Sequence, residues 1–184
     1  MAARVETRAA DAAEARRLQL AVVWADQHPA ESLEAAEVFR APGYWGGAGD
    51  SAVPIAGPGA PLVAEFSVAE FAAAIGVGTE TGKHYLGHAL ELAYRLPRLW
   101  QRVVAGDLAA WKARRVARET ISGGLSVEAA GFVDRHVAPV AHTVTPAVLS
   151  RLVEEAIGRF MPETAQRRRR EGRCQIFCVR GRSV

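Results

Sequence analysis

Apolar residues recur every three or four positions along most of this chain, the period of an amphipathic helix rather than the alternation of a strand. Over residues 9–26, Leu18, Ala21, Val22 and Ala25 mark one face, with Arg16, Arg17 and Gln19 interspersed. Pro29 interrupts, and residues 29–39 read as a short second helix with proline at its start. The pattern then stops. Residues 41–61 hold six Gly and four Pro, a composition that predicts a linker without regular structure.

Helical periodicity resumes after this stretch. Ser67 and Glu70 have the spacing of a capping box, and Gly76-Val77-Gly78 closes that helix near Ile75. A second helix is predicted from Thr79 to about Tyr94, and Pro97 opens another that carries Arg98, Leu99, Trp100 and Val103. Gly106-Asp107 breaks and recaps the chain before a helix over residues 108–121. Gly123-Gly124 is a turn, after which Ser126 caps a helix over residues 127–140. Thr145-Pro146 combines a cap with proline at the first helical position, and that last helix is interrupted near Pro162. The sum is an all-α, multi-helix bundle of roughly seven to eight helices, without an internal repeat.

Composition agrees with that class. Ala, Leu, Glu and Arg are abundant, and the β-branched and aromatic runs of strands are scarce. No apolar run approaches the roughly 18 residues of a membrane span, and residues 1–17 lack the apolar segment of a secretory signal. Cys174 and Cys178 both fall within the last eleven residues, too late to staple the body of the fold, so free thiols in a reducing cytoplasm are expected. The expected organisation is a helical arm over residues 1–40, a linker over 41–63, a helical domain over 64–172 and a divergent, disordered tail over 173–184. Charge divides along similar lines: residues 1–66 carry five Arg against nine Asp/Glu, and residues 67–184 carry eighteen Lys/Arg against eleven Asp/Glu. That asymmetry suits a polyanionic partner for the second part without requiring one.

The sharpest local motif runs over residues 71–85 and has the form of a helix-turn-helix. Ala72 is small where two helices must touch, Gly76 suits a left-handed turn, and Phe71, Ile75, Val77 and Tyr85 are placed to hold the pair together. The second helix would present Thr79, Glu80, Lys83 and His84 to a major groove. Against this, Gly82 stands at a position usually apolar, Gly87 follows, and the face carries a single Lys. An ordinary helical hairpin accounts for the same spacing.

A second candidate surface is basic. Arg95, Arg98, Arg102, Lys112, Arg114, Arg115 and Arg118 face one acid, Asp107, with Trp100 and Trp111 among them. Such clusters make phosphate contacts. The plainer alternative is a solvated basic face over two core tryptophans, and core positions are expected for Trp100 and Trp111. The arginine run over residues 167–170 reads first as a solvated helix end. His84 and His88 have metal-compatible spacing, but no HExxH motif or third ligand joins them, and no cofactor is expected. No phosphate loop, nucleophile elbow or other catalytic constellation is legible, so this chain is not expected to be an enzyme.

Taken in order, several runs resemble one family. They are residues 61–66, the helix-turn-helix-like segment, Ala89-Leu90-Glu91-Leu92, Arg95-Leu96-Pro97-Arg98-Leu99-Trp100 and residues 111–117. Residues 125–130, Val137-Ala138-Pro139 and Arg159-Phe160-Met161-Pro162-Glu163 continue the series. Together they resemble the domain of unknown function numbered 222, the thirteen-E-twelve repeat family, over residues 24–172. In that family the helical domain usually precedes an HNH nuclease module. The resemblance therefore implies a DNA-associated helical domain of an HNH endonuclease-like protein, with no family catalytic residue to carry over. The likeness stops near Gly172, and a truncated or frameshifted gene is the expectation for the divergent end. Three readings stand: a module for double-stranded DNA, a protein-interaction or self-association module, and a non-functional remnant.

Overall fold

A computed structural model describes residues 1–30 and 52–167, and within them the chain is all-α apart from one short strand pair. Helix α1 spans Ala2–Gln27. Strands β1 (Ala52–Val53) and β2 (Val63–Ala64) lead into α2 (Glu65–Ala74) and α3 (Thr79–Leu90). A π turn (Glu91–Arg95), α4 (Pro97–Val104) and α5 (Ala110–Ser122) follow. Then come α6 (Val127–Val137), a 3-10 turn (Ala138–Val140) and α7 (Pro146–Phe160), and residues 162–167 are again helical.

Most turn signals act as their chemistry requires. The Ser126 Oγ accepts from the Ala129 N–H at 3.3 Å, and the Thr145 Oγ1 accepts from the Val148 N–H at 3.4 Å. Gly76 adopts φ +73° between α2 and α3, a left-handed conformation that glycine reaches without the Cβ penalty. Gly82 faces Ala72 across this helix pair, and a Cβ at Gly82 would collide with that alanine. The glycine that looked out of place in the sequence is what lets α2 and α3 touch.

Other expectations are corrected. Ser67 and Glu70 do not form a capping box: α2 begins earlier, at Glu65, and the Ser67 Oγ donates to the Ala64 carbonyl at 2.7 Å. The cause is β2, whose buried Val63 and Ala64 deliver the chain into the helix early. Nor is the end of the Gly/Pro-rich stretch without structure. Ala52–Val53 pairs antiparallel with Val63–Ala64, with Val53 opposite Val63, and Pro29 bridges to Val63 as well. Pro29 therefore sits in an extended pairing rather than opening a helix, and the Ala30 N–H donates to the Leu62 carbonyl; residues 31–39 of the expected helix lie outside the described residues. So do residues 41–51 of the linker, Arg168 onward in the arginine run, and the tail.

The core is continuous from α1 to α7. Leu18, Ala21 and Ala25 of α1 are buried with Leu86 and Leu90 of α3 and Leu99 of α4. The Trp24 Nε1 donates to the Ser67 carbonyl at 3.2 Å, so α1 is tied to α2 within the same body as residues 64–167. Asp134 of α6 caps α4. Its carboxylate accepts from the Arg98 and Leu99 N–H groups at 3.1 and 3.0 Å, and burial holds its pKa above the ordinary aspartate value.

An ion pair lies at the centre. Glu91 and Arg95 occupy the π turn one helical step apart, with Glu91 fully buried and Arg95 4% exposed. Their oxygen and nitrogen approach to 2.6 Å. The second Glu91 oxygen accepts from the Gly57 N–H at 3.0 Å, and Arg95 Nη2 donates to the carbonyls of Leu125 and Ser126 at 2.5 and 3.0 Å. A Cβ at Gly57 would occupy the space of the Arg95 guanidinium. One pair thus joins the strand loop, the π turn and the start of α6. Arg95→Leu would leave a buried carboxylate without its cation and should cost about 3–5 kcal/mol in urea unfolding, with Glu91→Leu/Arg95→Leu recovering part of the loss. A single variant as stable as the parent chain would show that the pair does not organise this centre.

Candidate nucleic-acid interface

Helix α5 presents two faces because its small and apolar residues recur at helical spacing. Ala110, Ala113, Val116, Ala117 and Thr120 are buried. Trp111, Arg114, Arg115 and Arg118 follow the i, i+3, i+4, i+7 pattern on the other side. Helix α3 packs beside α5, and its His88 completes a cleft of about 290 Å³ lined by His88, Trp111, Arg114, Arg115 and Arg118. Trp111 is 56% exposed, which corrects the expectation of a core residue. The reason is register: the alanines of α5, not the tryptophan, make its core face. Trp100 is partly buried against the core.

The cations of this cleft are held from behind. Arg114 pairs with Glu14 of α1 at 3.2 Å and lies 4.3 Å from the centre of the Tyr85 ring. The Tyr85 hydroxyl donates to the same Glu14 oxygen at 3.1 Å. Burial first, and the Glu14 charge after it, hold that hydroxyl's pKa above the ordinary tyrosine range. Arg115 donates to the Val144 carbonyl at 2.9 Å and stands 5.8 Å from the Trp111 ring. Arg118 meets Glu119 at 3.3 Å across an exposed edge. Among the described residues, the buried side-chain nitrogens without a hydrogen-bond partner include His88 Nδ1, Arg114 Nε and Arg115 Nε.

The residues expected on the helix-turn-helix face lie at the start of α3. Thr79, Glu80 and His84 are exposed and Lys83 is half-buried. His84 is one turn before His88, with the two ring centroids 6.3 Å apart, so the α3 face adjoins the cleft through these histidines. Among the described residues, no group of three or more His, Cys, Asp or Glu is placed to hold a metal ion.

The rest of the expected basic surface divides. Arg95 is internal, as described. Arg102 donates to the Ala138 carbonyl and Lys112 to the His142 carbonyl, the latter at 2.7 Å. With Arg115 they bind carbonyls of the segment from the 3-10 turn to the start of α7. Arg98 is exposed on α4 and does not line the cleft. Thus His84, Arg114, Arg115 and Arg118 come together, while Arg98 and Arg102 belong to the α4 side. Sequence reasoning missed His88 and Trp111 as members of the surface. The spacing 111, 114, 115, 118 carried the signal for the tryptophan.

No family model, curated protein or solved structure matches the chain.

The histidine of the cleft supplies a test. Burial first, then the charges of Arg114, His84 and Arg118, lower the His88 pKa from 6.5 to about 4. The unfolded chain therefore takes up a proton between these values that the folded chain refuses. Stability from this group is complete above pH 6.5 and declines as pH falls toward 4. His88→Gln should flatten the unfolding midpoint across that window in denaturant titrations. An unchanged pH profile would assign the acid sensitivity elsewhere.

Proposed function

We propose that this chain is a DNA-associated helical domain of the kind that precedes an HNH nuclease module, with double-stranded DNA as its partner. The observation that carries the reading is the continuity of two surfaces. The exposed first turns of α3, after the Gly76 turn, adjoin the cationic cleft of α5 through His84 and His88. A helix start beside a basic wall suits a duplex: side chains of α3 would meet the groove, and arginines of α5 the flanking phosphates. The ordered run of family-like segments supports the same reading. In it the domain binds, and strand cleavage is the work of the separate module.

A second reading, self-association, has its own observation. Residues 1–10 of α1 are exposed throughout, and a groove between α1 and α2 sets Ala10, Ala13, Leu20, Phe71 and Ile75 beside the charged Glu14, Arg16 and Arg17. Light scattering at increasing concentration tests it. Among the described residues no helix is long and apolar enough to cross a membrane.

The DNA reading is tested by titrating mixed-sequence duplex at two salt concentrations. Binding should weaken steeply with salt, with a log–log slope of about −0.9 for each phosphate neutralised. Arg118→Gln should weaken binding on all sequences and reduce the slope by about one. Absence of binding at low salt would overturn the DNA reading and leave the interaction module.

A further inference from the structure

We propose that the cleft between α3 and α5 is a phosphate-binding site, walled by His88, Arg114, Arg115 and Arg118 with Trp111 at its mouth. Taken as a backbone phosphate of duplex DNA, the ligand rests on the DNA reading above; the anion chemistry of the cleft stands on its own geometry.

Three arginines within five residues of one helix would ordinarily spread apart by mutual repulsion. Here they are held. Glu14 fixes Arg114 from α1, and the Val144 carbonyl fixes Arg115 from the segment before α7. Each anchor uses one terminal nitrogen, Nη1 of Arg114 and Nη2 of Arg115. Glu14 also answers to Tyr85 and Arg17, so its single negative charge is shared among three donors. Two carboxylates of the described residues near the cleft, Glu14 and Glu119, are each already engaged by an arginine. The wall therefore keeps a surplus of positive charge, together with donors positioned before any ligand arrives. That is the arrangement an oxyanion needs, since guanidinium groups donate to phosphate oxygens in fixed, charge-assisted pairs. The exposed Trp111 ring adds a flat apolar surface beside the anion, suited to a sugar or base attached to it.

His88 reports on the site. Among the described residues the charged or titratable groups acting on it are His84 on its own helix and Arg114 and Arg118 from α5, and all three disfavour its protonation. A phosphate seated among them would offset those charges and raise the His88 pKa from about 4. The cleft would then take up a proton as it takes up the anion.

The experiment follows the His88 imidazole signals by NMR in the full chain, during titration with inorganic phosphate and with chloride at matched ionic strength. Phosphate should move them saturably, with affinity on the order of millimolar, and raise the pKa of the ring. Arg118→Gln, at an exposed position, should weaken this about ten-fold with the fold intact. A phosphate response no larger than that of chloride, or an Arg118→Gln chain that binds like the parent, overturns the site. A short duplex forms the second arm. Duplex that shifts His88 and competes with phosphate identifies the ligand as a backbone phosphate. If phosphate shifts His88 but duplex does not bind, the cleft stands as a site for free phosphate groups and the DNA reading falls. If duplex binds with steep salt dependence yet leaves His88 unmoved, the cleft assignment falls and the DNA reading stands.

Discussion

A buried carboxylate and guanidinium cannot be left alone, and that constraint shapes the middle of this fold. Glu91 and Arg95 are taken out of water together, at a desolvation cost that their mutual attraction offsets only when the remaining lone pairs and protons are also used. The structure uses most of them: the Gly57 N–H on one side, the Leu125 and Ser126 carbonyls on the other. Each of these partners lies in a turn or loop that helical propensity alone would not place. The pair therefore acts less as glue between helices than as a fixing point for irregular backbone, where directional bonds matter more than area buried.

Its setting in a π turn has a consequence downstream. The wider turn ends α3, and Leu96 at φ −125° redirects the chain into α4, which begins with Pro97. Proline contributes no N–H of its own, and the Asp134 carboxylate takes up those of Arg98 and Leu99. A buried acid at this helix start is stabilised by two backbone donors and by the positive end of the helix, against the burial that raises its pKa. Through this cap α6 is locked to α4.

Basic residues serve two ends in this protein. Arg95, Arg102, Lys112 and Arg115 donate to main-chain carbonyls in turns and at helix ends, satisfying acceptors that the helices leave open. Arg114 is tied to Glu14 and Tyr85, and Arg118 remains at the surface. A positive charge held in place by a carbonyl keeps its charge, since the carbonyl neutralises nothing. That is why structural anchoring and a cationic surface coexist on α5, and why a count of arginines overstated the surface by including Arg95 while it left out Trp111.

The all-α class, the order of the helices and the caps at Ser126 and Thr145 follow from local sequence, because periodicity and capping act over a few residues. Gly76 belongs with them: a turn that needs φ above zero selects glycine without help from the rest of the chain. Tertiary structure decided what depended on neighbours distant in sequence. The β1–β2 pairing moved the start of α2 ahead of Ser67, Ala72 gave Gly82 its purpose, and Gly57 was required by Arg95 rather than by its own turn. The candidate cleft was half legible. The i, i+3, i+4, i+7 set on α5 is written in the sequence, but that α3 brings His88 to it, and that Glu14 anchors its cations from α1, comes from packing between helices up to a hundred residues apart. Local chemistry sets where helices begin and end; only the burial of shared charge and shared surface sets which of them meet.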